Sequence, residues 1–399
     1  MSAIDQKKIA IIGGGPGGLT LARLLQMNGA QVTVYERDTN RSARVQGSAL
    51  DLHEDSGLAA LEAAGLTKQF WENYRPDLNQ LRLTDPSGKI LHEHPRAISG
   101  EGKRPEIERG PLRDILLDSL EPGTVHWNRK LESAEFVGTQ VALQFTGEER
   151  VLADLVIGAD GANSRLRPLV TPISPRYVGV ALVEGTVPAG EEAAPELWSL
   201  LQGSALIALG SERTLGMGTK PDGSILFYAG MKSSEARDRQ SLEAANSAEE
   251  RVAWFRNNFE SWGVLWESLF SKASSLVWRP LWTCPADQHW EAKPNATLIG
   301  DAAHVMPPYA GEGVNMAMLD ALVLSQQLTS QKGFAQAIAS YEEEMFARMQ
   351  HMTDDTMRNT EMFYAPDAAD QVVRLFQNFS KEAPNSSVAE LEVSAVKQQ

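Results

Sequence analysis

Gly13, Gly15 and Gly18 satisfy the spacing G-x-G-x-x-G within Gly13-Gly14-Gly15-Pro16-Gly17-Gly18. The first glycine permits a tight turn, the second lets a pyrophosphate approach the backbone, and the third lets a helix pack on a strand. The N–H groups at the start of that helix then face the phosphates. Glu36 follows Gly18 by 18 residues, where a carboxylate can hydrogen-bond a ribose hydroxyl. Alone the glycine pattern is weak. Its context strengthens it. Lys8–Ile12 is a short apolar run typical of a buried parallel strand. Leu19–Asn28 reads as a helix closed by Gly29, and Gln31–Tyr35 as a second strand ending at Glu36. This is one βαβ unit built to hold a dinucleotide.

Two more glycine–acid turns lie far along the chain. Asp154-Leu-Val-Ile-Gly-Ala-Asp160-Gly161-Ala-Asn-Ser-Arg165 resembles the D-G motif of flavin-dependent aromatic hydroxylases. The stretch from Ala296 through Gly300-Asp301, His304, Pro307-Pro308 and Gly311-Glu312-Gly313 to Asn315 resembles their G-D motif. A carboxylate after a strand-ending glycine can hold a ribityl hydroxyl. The Gly311–Gly313 turn opens a helix from about Val314, whose N-terminal dipole suits negative charge on a flavin pyrimidine edge. Arg113 follows Pro111-Leu112, where the same family has a cofactor-contacting arginine.

Together these segments, in family order, resemble the group A flavoprotein monooxygenases, and within them the tetracycline-inactivating branch. The likeness runs over most of the chain. It implies FAD as cofactor, NADPH in preference to NADH as co-substrate, and O₂. It implies insertion of one oxygen atom into a small aromatic or polycyclic compound through a flavin C4a-hydroperoxide. No acid or base side chain is required, because the cofactor carries the hard chemistry. By position, the cofactor residues are Gly13, Gly15, Gly18, Glu36, Arg37, Asp51, Arg113, Asp160, Asp301, Pro308, Gly311, Gly313, Val314 and Asn315. Pro308 and Gly311 also shape the oxygen site, and Arg44 serves NADPH.

The tetracycline-contacting positions of that branch align with Glu184, Ala205 and Leu226, none of which matches its glutamine, arginine and histidine. The oxidation machinery is kept while the substrate pocket is rewritten. A tetracycline-type antibiotic, with the resistance that its oxidation gives, is one substrate reading. An unrelated phenol is another. A flavin reductase or oxidase without oxygen insertion, or a non-catalytic flavin-binding protein, would keep the same cofactor motifs.

The elements that position these residues read as an α/β fold. A Rossmann-like FAD-binding domain (GR2-type) is expected over 1–75, 101–171 and 285–330. An inserted antiparallel β-sheet substrate domain is expected over 76–100 and 172–284. Within it, 78–94 reads as a hairpin and 173–232 as successive strands with few helix signals until Ser241. Val151–Ile157 reads as one strand. Residues 313–328 and 334–363 read as helices. The segment 331–385 is expected to brace both domains as C-terminal helices, and 386–399 to fray.

The chain has 399 residues and a net charge of −15, a balance that repels nucleic acid and anionic membrane. Its one cysteine, Cys284, excludes an intramolecular disulfide, a C-x-x-C redox pair and a Cys-rich zinc site. No apolar run reaches the ~20 residues needed to span a bilayer. The first residues lack a signal-peptide core. A cytoplasmic monomer without metal is expected.

Other candidates have plain alternatives. His92-Glu93-His94 lacks a third metal ligand and suits a solvent-facing hairpin. His304 suits either a helper at the cofactor or a hydrogen-bonded structural histidine. Five of the nine tryptophans fall within 254–282 and suit a core or seam better than a binding wall. Ser48 and Ser164 lack a G-x-S-x-G context, so a serine hydrolase has no support.

Overall fold

The computed structural model describes residues 4, 6–43, 49–75, 80–95, 104–147, 150–234, 236–330 and 333–382. The chain folds into two compact units. The first comprises Met1–Arg75, Arg104–Arg176 and Trp282–Met357, the second Pro76–Lys103, Tyr177–Leu281 and Arg358–Gln399.

The first unit is built on a five-stranded parallel sheet. Its order is Ala296–Leu298, Leu155–Gly158, Lys8–Ile12, Gln31–Tyr35, Val125–His126. Ile9, Ile11, Val34, Leu155, Val156 and Ile157 are buried, as strands covered on both faces require. Each such side chain contributes roughly 1.5–3 kcal/mol on burial. The register matters more for function. Ile12 pairs with both Tyr35 and Gly158, and Gly158 pairs with Leu298. Four strands therefore end level, and the residues after them leave from one edge.

The helix Pro16–Met27 begins with Gly15 as N-cap and Pro16 in the first turn. It starts earlier than the apolar pattern from Leu19 indicates, because Gly17 and Gly18 form its first turn. A Cβ at Gly18 would overlap the carbonyl oxygen of Gly13 and crowd Ala159 Cβ and Ile11. Gly13 itself has φ +111, a conformation other residues rarely adopt. The helix Phe334–Phe363 has the bounds expected from its periodicity, and Ala337, Ile338, Tyr341, Met345 and Met349 enter the core of the first unit.

One expectation is corrected here. Val151–Ile157 is not a single strand. Val151–Ala153 pairs antiparallel with Gln140–Phe145 in a separate three-stranded sheet, and Leu155–Gly158 enters the parallel sheet. Asp154 makes the break. Its carboxylate accepts from Lys8 N at 2.9 Å and from Gln140 Nε2 at 3.0 Å, so the chain changes sheets within one residue.

The second unit holds a seven-stranded sheet. Its order is Ser275–Thr283, Arg176–Val187, Ile225–Lys232, Arg213–Thr219, Ala205–Gly210, Gln80–Thr84, Ile90–Pro95. From Arg176–Val187 to Ile90–Pro95 neighbouring strands run antiparallel except Ala205–Gly210 with Gln80–Thr84, a parallel join that the antiparallel expectation did not contain. Helices also appear before Ser241, at Gly190–Ala193, Pro195–Leu201 and Ala236–Glu243. Leu197 and Leu201 explain the second, because both drop into the core under the sheet. Val183, Leu206, Leu215 and Phe227 meet Trp254, Phe255, Phe259, Trp266 and Phe270 there. Trp262 and Trp278 pack against the same core, so the tryptophan cluster is largely structural.

Candidate active site

The level strand ends create a cavity of about 1230 Å³ in the first unit. The turn Gly13–Gly18, Glu36, Arg37, Asp51, Asp160, Asp301, Pro308, Gly311, Gly313 and Val314 all contribute to its walls. Residues spread over some three hundred positions thus meet because four strands of one sheet end level.

Glu36 is buried and supports the glycine turn. Oε2 accepts from Gly14 N at 2.6 Å, and Oε1 accepts from Asp38 N at 2.9 Å. Asp160 closes its own turn, with Oδ2 accepting from Arg165 N at 2.7 Å. Its Oδ1 is buried and has no hydrogen-bond partner. Burial pushes the Asp160 carboxyl up, against hydrogen bonds from Ser164 and Arg165. Asp301 lies deep in the cleft with its side chain open to the cavity. Burial raises its pKa too, while His304 and Arg109 oppose the rise.

Arg113 and Asn315 do not line the cavity. Arg113 is 4% exposed and sits behind the glycine turn. It donates to Gly14 O at 3.2 Å and to Arg41 O at 2.9 Å, pairs with Asp38, and lies over the Trp127 ring. Asn315 is fully buried; Nδ2 donates to Asp51 O at 3.0 Å, and Oδ1 accepts from His53 N at 3.0 Å. Both therefore fix the wall from behind. Arg44 lies outside the described residues.

Glu184, Ala205 and Leu226 stand on the second unit's sheet. Their neighbours Val183, Leu206, Ile225 and Phe227 enter the helix-covered core. Alternation therefore places all three on the opposite face. Tyr228 shares that face, opposite Glu184. Glu184 accepts from Arg279 at 3.0 Å, a pairing that no spacing announced.

Several contributors were not legible. Arg109, on the wall, opens the helix Arg109–Asp118. Arg167, also on the wall, donates to the carbonyls of Ala302 and Ala303 at 2.8 and 2.7 Å, bracing the turn after Asp301. Asp320 is fully buried and accepts from Gly300 N, His304 Nε2 and Arg348 Nη2 at 2.8, 2.6 and 2.6 Å. Burial alone would raise the Asp320 carboxyl, but His304 and then Arg348 pull it below the usual range. His304, 1% exposed, is thus the structural histidine of its two readings. No group of three or more His, Cys, Asp or Glu among the described residues is placed to hold a metal. None of the described helices is long and apolar enough to cross a membrane.

Known proteins resemble this chain in sequence and fold. A family model described as an FAD binding domain matches residues 6–172 and 289–356. Monooxygenase penA of Penicillium thymicola is 30% identical over 438 residues, covering 95% of this chain and 100% of that protein. The 3-amino-4-hydroxybenzoate 2-monooxygenase PtmB3 of Streptomyces platensis is 28% identical, covering 93% and 92%. The crystal structure of tetracycline destructase Tet(55) superposes with a TM-score of 0.75 at 22% identity, over 96% of this chain and 98% of that one, which shows a shared fold. The chain belongs to the family of group A FAD-dependent monooxygenases.

The residues present suit that cofactor. The open backbone face at Gly15 has no atom within 4 Å of a would-be Cβ, leaving the N-terminus of the first helix approachable. The unpartnered Asp160 Oδ1 is an acceptor awaiting a hydroxyl.

Proposed function

We propose that this enzyme hydroxylates a small aromatic or polycyclic compound, using FAD, O₂ and electrons from NADPH. The carrying observation is the convergence of the Gly13, Asp160 and Asp301 turns on one cavity wall. When bound, FAD supplies the electron transfer and oxygen activation. The chain positions it. The N–H groups of Gly15 to Gly18 and the first helix receive the pyrophosphate. Glu36 takes the adenosine ribose with Arg37 beside it, and Asp160 and Asp301 accept from ribityl hydroxyls. The start of the helix Gly313–Thr329, with Gly313 and Val314, stabilises charge on the flavin ring, and Asp51 flanks it. Pro308 and Gly311 exclude water from the reacting side. Arg113 and Asn315 hold these groups in place, and Arg44 serves NADPH.

Substrate contact is assigned to the sheet face of Glu184, Ala205, Leu226 and Tyr228. That face mixes an ion-paired carboxylate, an aromatic ring and small apolar groups, which suits a ring bearing polar substituents. The relative that acts on 3-amino-4-hydroxybenzoate supports an aromatic substrate. A tetracycline stays within the same reading, because it too is a substituted polycycle.

Oxygen uptake with NADPH, measured over a panel of simple phenols, aminohydroxybenzoates and tetracyclines, tests this. Hydroxylated product in step with NADPH consumption is the expected result. Peroxide alone for every compound would leave a flavin oxidase instead.

A further inference from the structure

Two carboxylates reach His53 from opposite sides. Asp51 Oδ2 lies 3.1 Å from Nε2, and Glu312 Oε1 lies 3.2 Å from Nδ1. The ring is buried, with 7% of the residue exposed. Asp51 ends the strand Ala49–Asp51, and Glu312 sits between Gly311 and Gly313 ahead of a long helix. Both acids line the cavity. Two turns far apart in sequence are therefore joined through one imidazole.

A neutral imidazole has one N–H and one lone pair. It can donate to one carboxylate, but it faces the other with the lone pair. Only the imidazolium donates to both. We propose that His53 is a positioning residue, a cationic pin that fastens the Asp51 strand to the Glu312 turn and keeps this side of the cavity in its FAD-binding shape. The pin rests on the assignment of FAD to this cavity.

The surroundings agree. Burial by itself would lower the His53 pKa; Asp51 and then Glu312 outweigh it and bring the ring to about 9. Arg104 stands 3.8 Å from Asp51 Oδ2 and opposes the proton weakly. Glu106 lies opposite Asp51 in the two-stranded sheet. Glu54 and Asp55 on the same turn are exposed, as is Glu62 on the adjoining helix Gly57–Ala63. Because the folded pKa is raised, the pin is complete below the ordinary histidine value of ~6.5 and is lost as pH rises through the folded value.

The test is FAD affinity of the apoprotein, read by flavin fluorescence between about pH 7 and pH 10. Wild type should weaken roughly tenfold across that range, with a midpoint near 9. His53→Gln keeps a donor but no charge. It should start roughly tenfold weaker and stay flat with pH. Glu312→Gln should move the wild-type midpoint downward. A flat wild-type profile, or the same alkaline fall in His53→Gln, overturns the pin while leaving FAD binding standing. If His53→Gln does not fold, nitrogen-15 spectra of labelled wild-type histidine decide. Both ring nitrogens protonated near pH 8 support the pin, and a neutral tautomer there overturns it. A wild-type chain that takes up no FAD at any pH removes the seat and the pin together.

Discussion

Asp320 holds the backbone N–H of Gly300 at 2.8 Å from inside the core. That bond sets the direction in which the chain leaves its strand, and so where Asp301 points. Gly300 has φ +58, and the same carboxylate anchors His304 and Arg348. One buried charge therefore shapes the turn that faces the cavity.

Asp320→Asn tests this relationship. It keeps the shape but leaves Arg348 without its charged partner, so about 3–5 kcal/mol of stability should be lost. Bound FAD should fall with it. The pH sense follows from the depressed carboxyl. Its stabilisation is present above the ordinary ~3.9 and disappears as pH falls through the folded value. Urea unfolding from neutral to acid pH should show a loss in wild type that the variant lacks.

Asp160→Asn should separate stability from function. Burial raises this carboxyl, so its ionised form is the costly one in the fold. Stability from this site declines as pH rises from ~3.9 through the raised value and stays lower at neutral pH. The variant should melt higher without cofactor, yet bind FAD roughly tenfold more weakly. Thermal melts of apoprotein and flavin fluorescence titrations read the two effects.

Gly18→Ala inserts a methyl group where Gly13 O already stands. Overpacking of this kind costs about 1–3 kcal/mol. The glycine turn should shift with it, and purified protein should lose its yellow colour. Absorbance near the flavin band against protein content gives the occupancy.

Arg113→Lys keeps the charge but cannot donate to Gly14 O, Arg41 O and Asp38 together. FAD affinity should fall severalfold while NADPH oxidation per bound flavin stays near wild type. A drop in that turnover with full occupancy would mean that the guanidinium acts in the chemistry itself.

The readable parts of the fold were those with local causes. A short apolar run ending in glycine marked Lys8–Ile12, and the period of Phe334–Phe363 marked its length. The glycine–acid turns were legible because each needs particular residues at fixed spacing. What escaped depends on distant partners. Asp154 breaks a strand because it binds Lys8 and Gln140. Pro195–Leu201 is helical within a strand-rich stretch because Leu197 and Leu201 find an apolar core. Arg113 and Asn315 were singled out by motif position, but spacing does not distinguish a wall residue from one bonded behind the wall. Nothing local marks His53, whose second carboxylate, Glu312, comes from far along the chain.

The flush termination of Lys8–Ile12, Gln31–Tyr35 and Leu155–Gly158 has an evolutionary meaning. A deletion inside any of these strands would drag its loop about 3.3 Å out of line and turn its side chains over. An insertion beyond the strand end would leave the other loops where they are. The frame is thus intolerant and its rim permissive, so descendants of this scaffold can acquire new loop chemistries one at a time without rebuilding the platform beneath them.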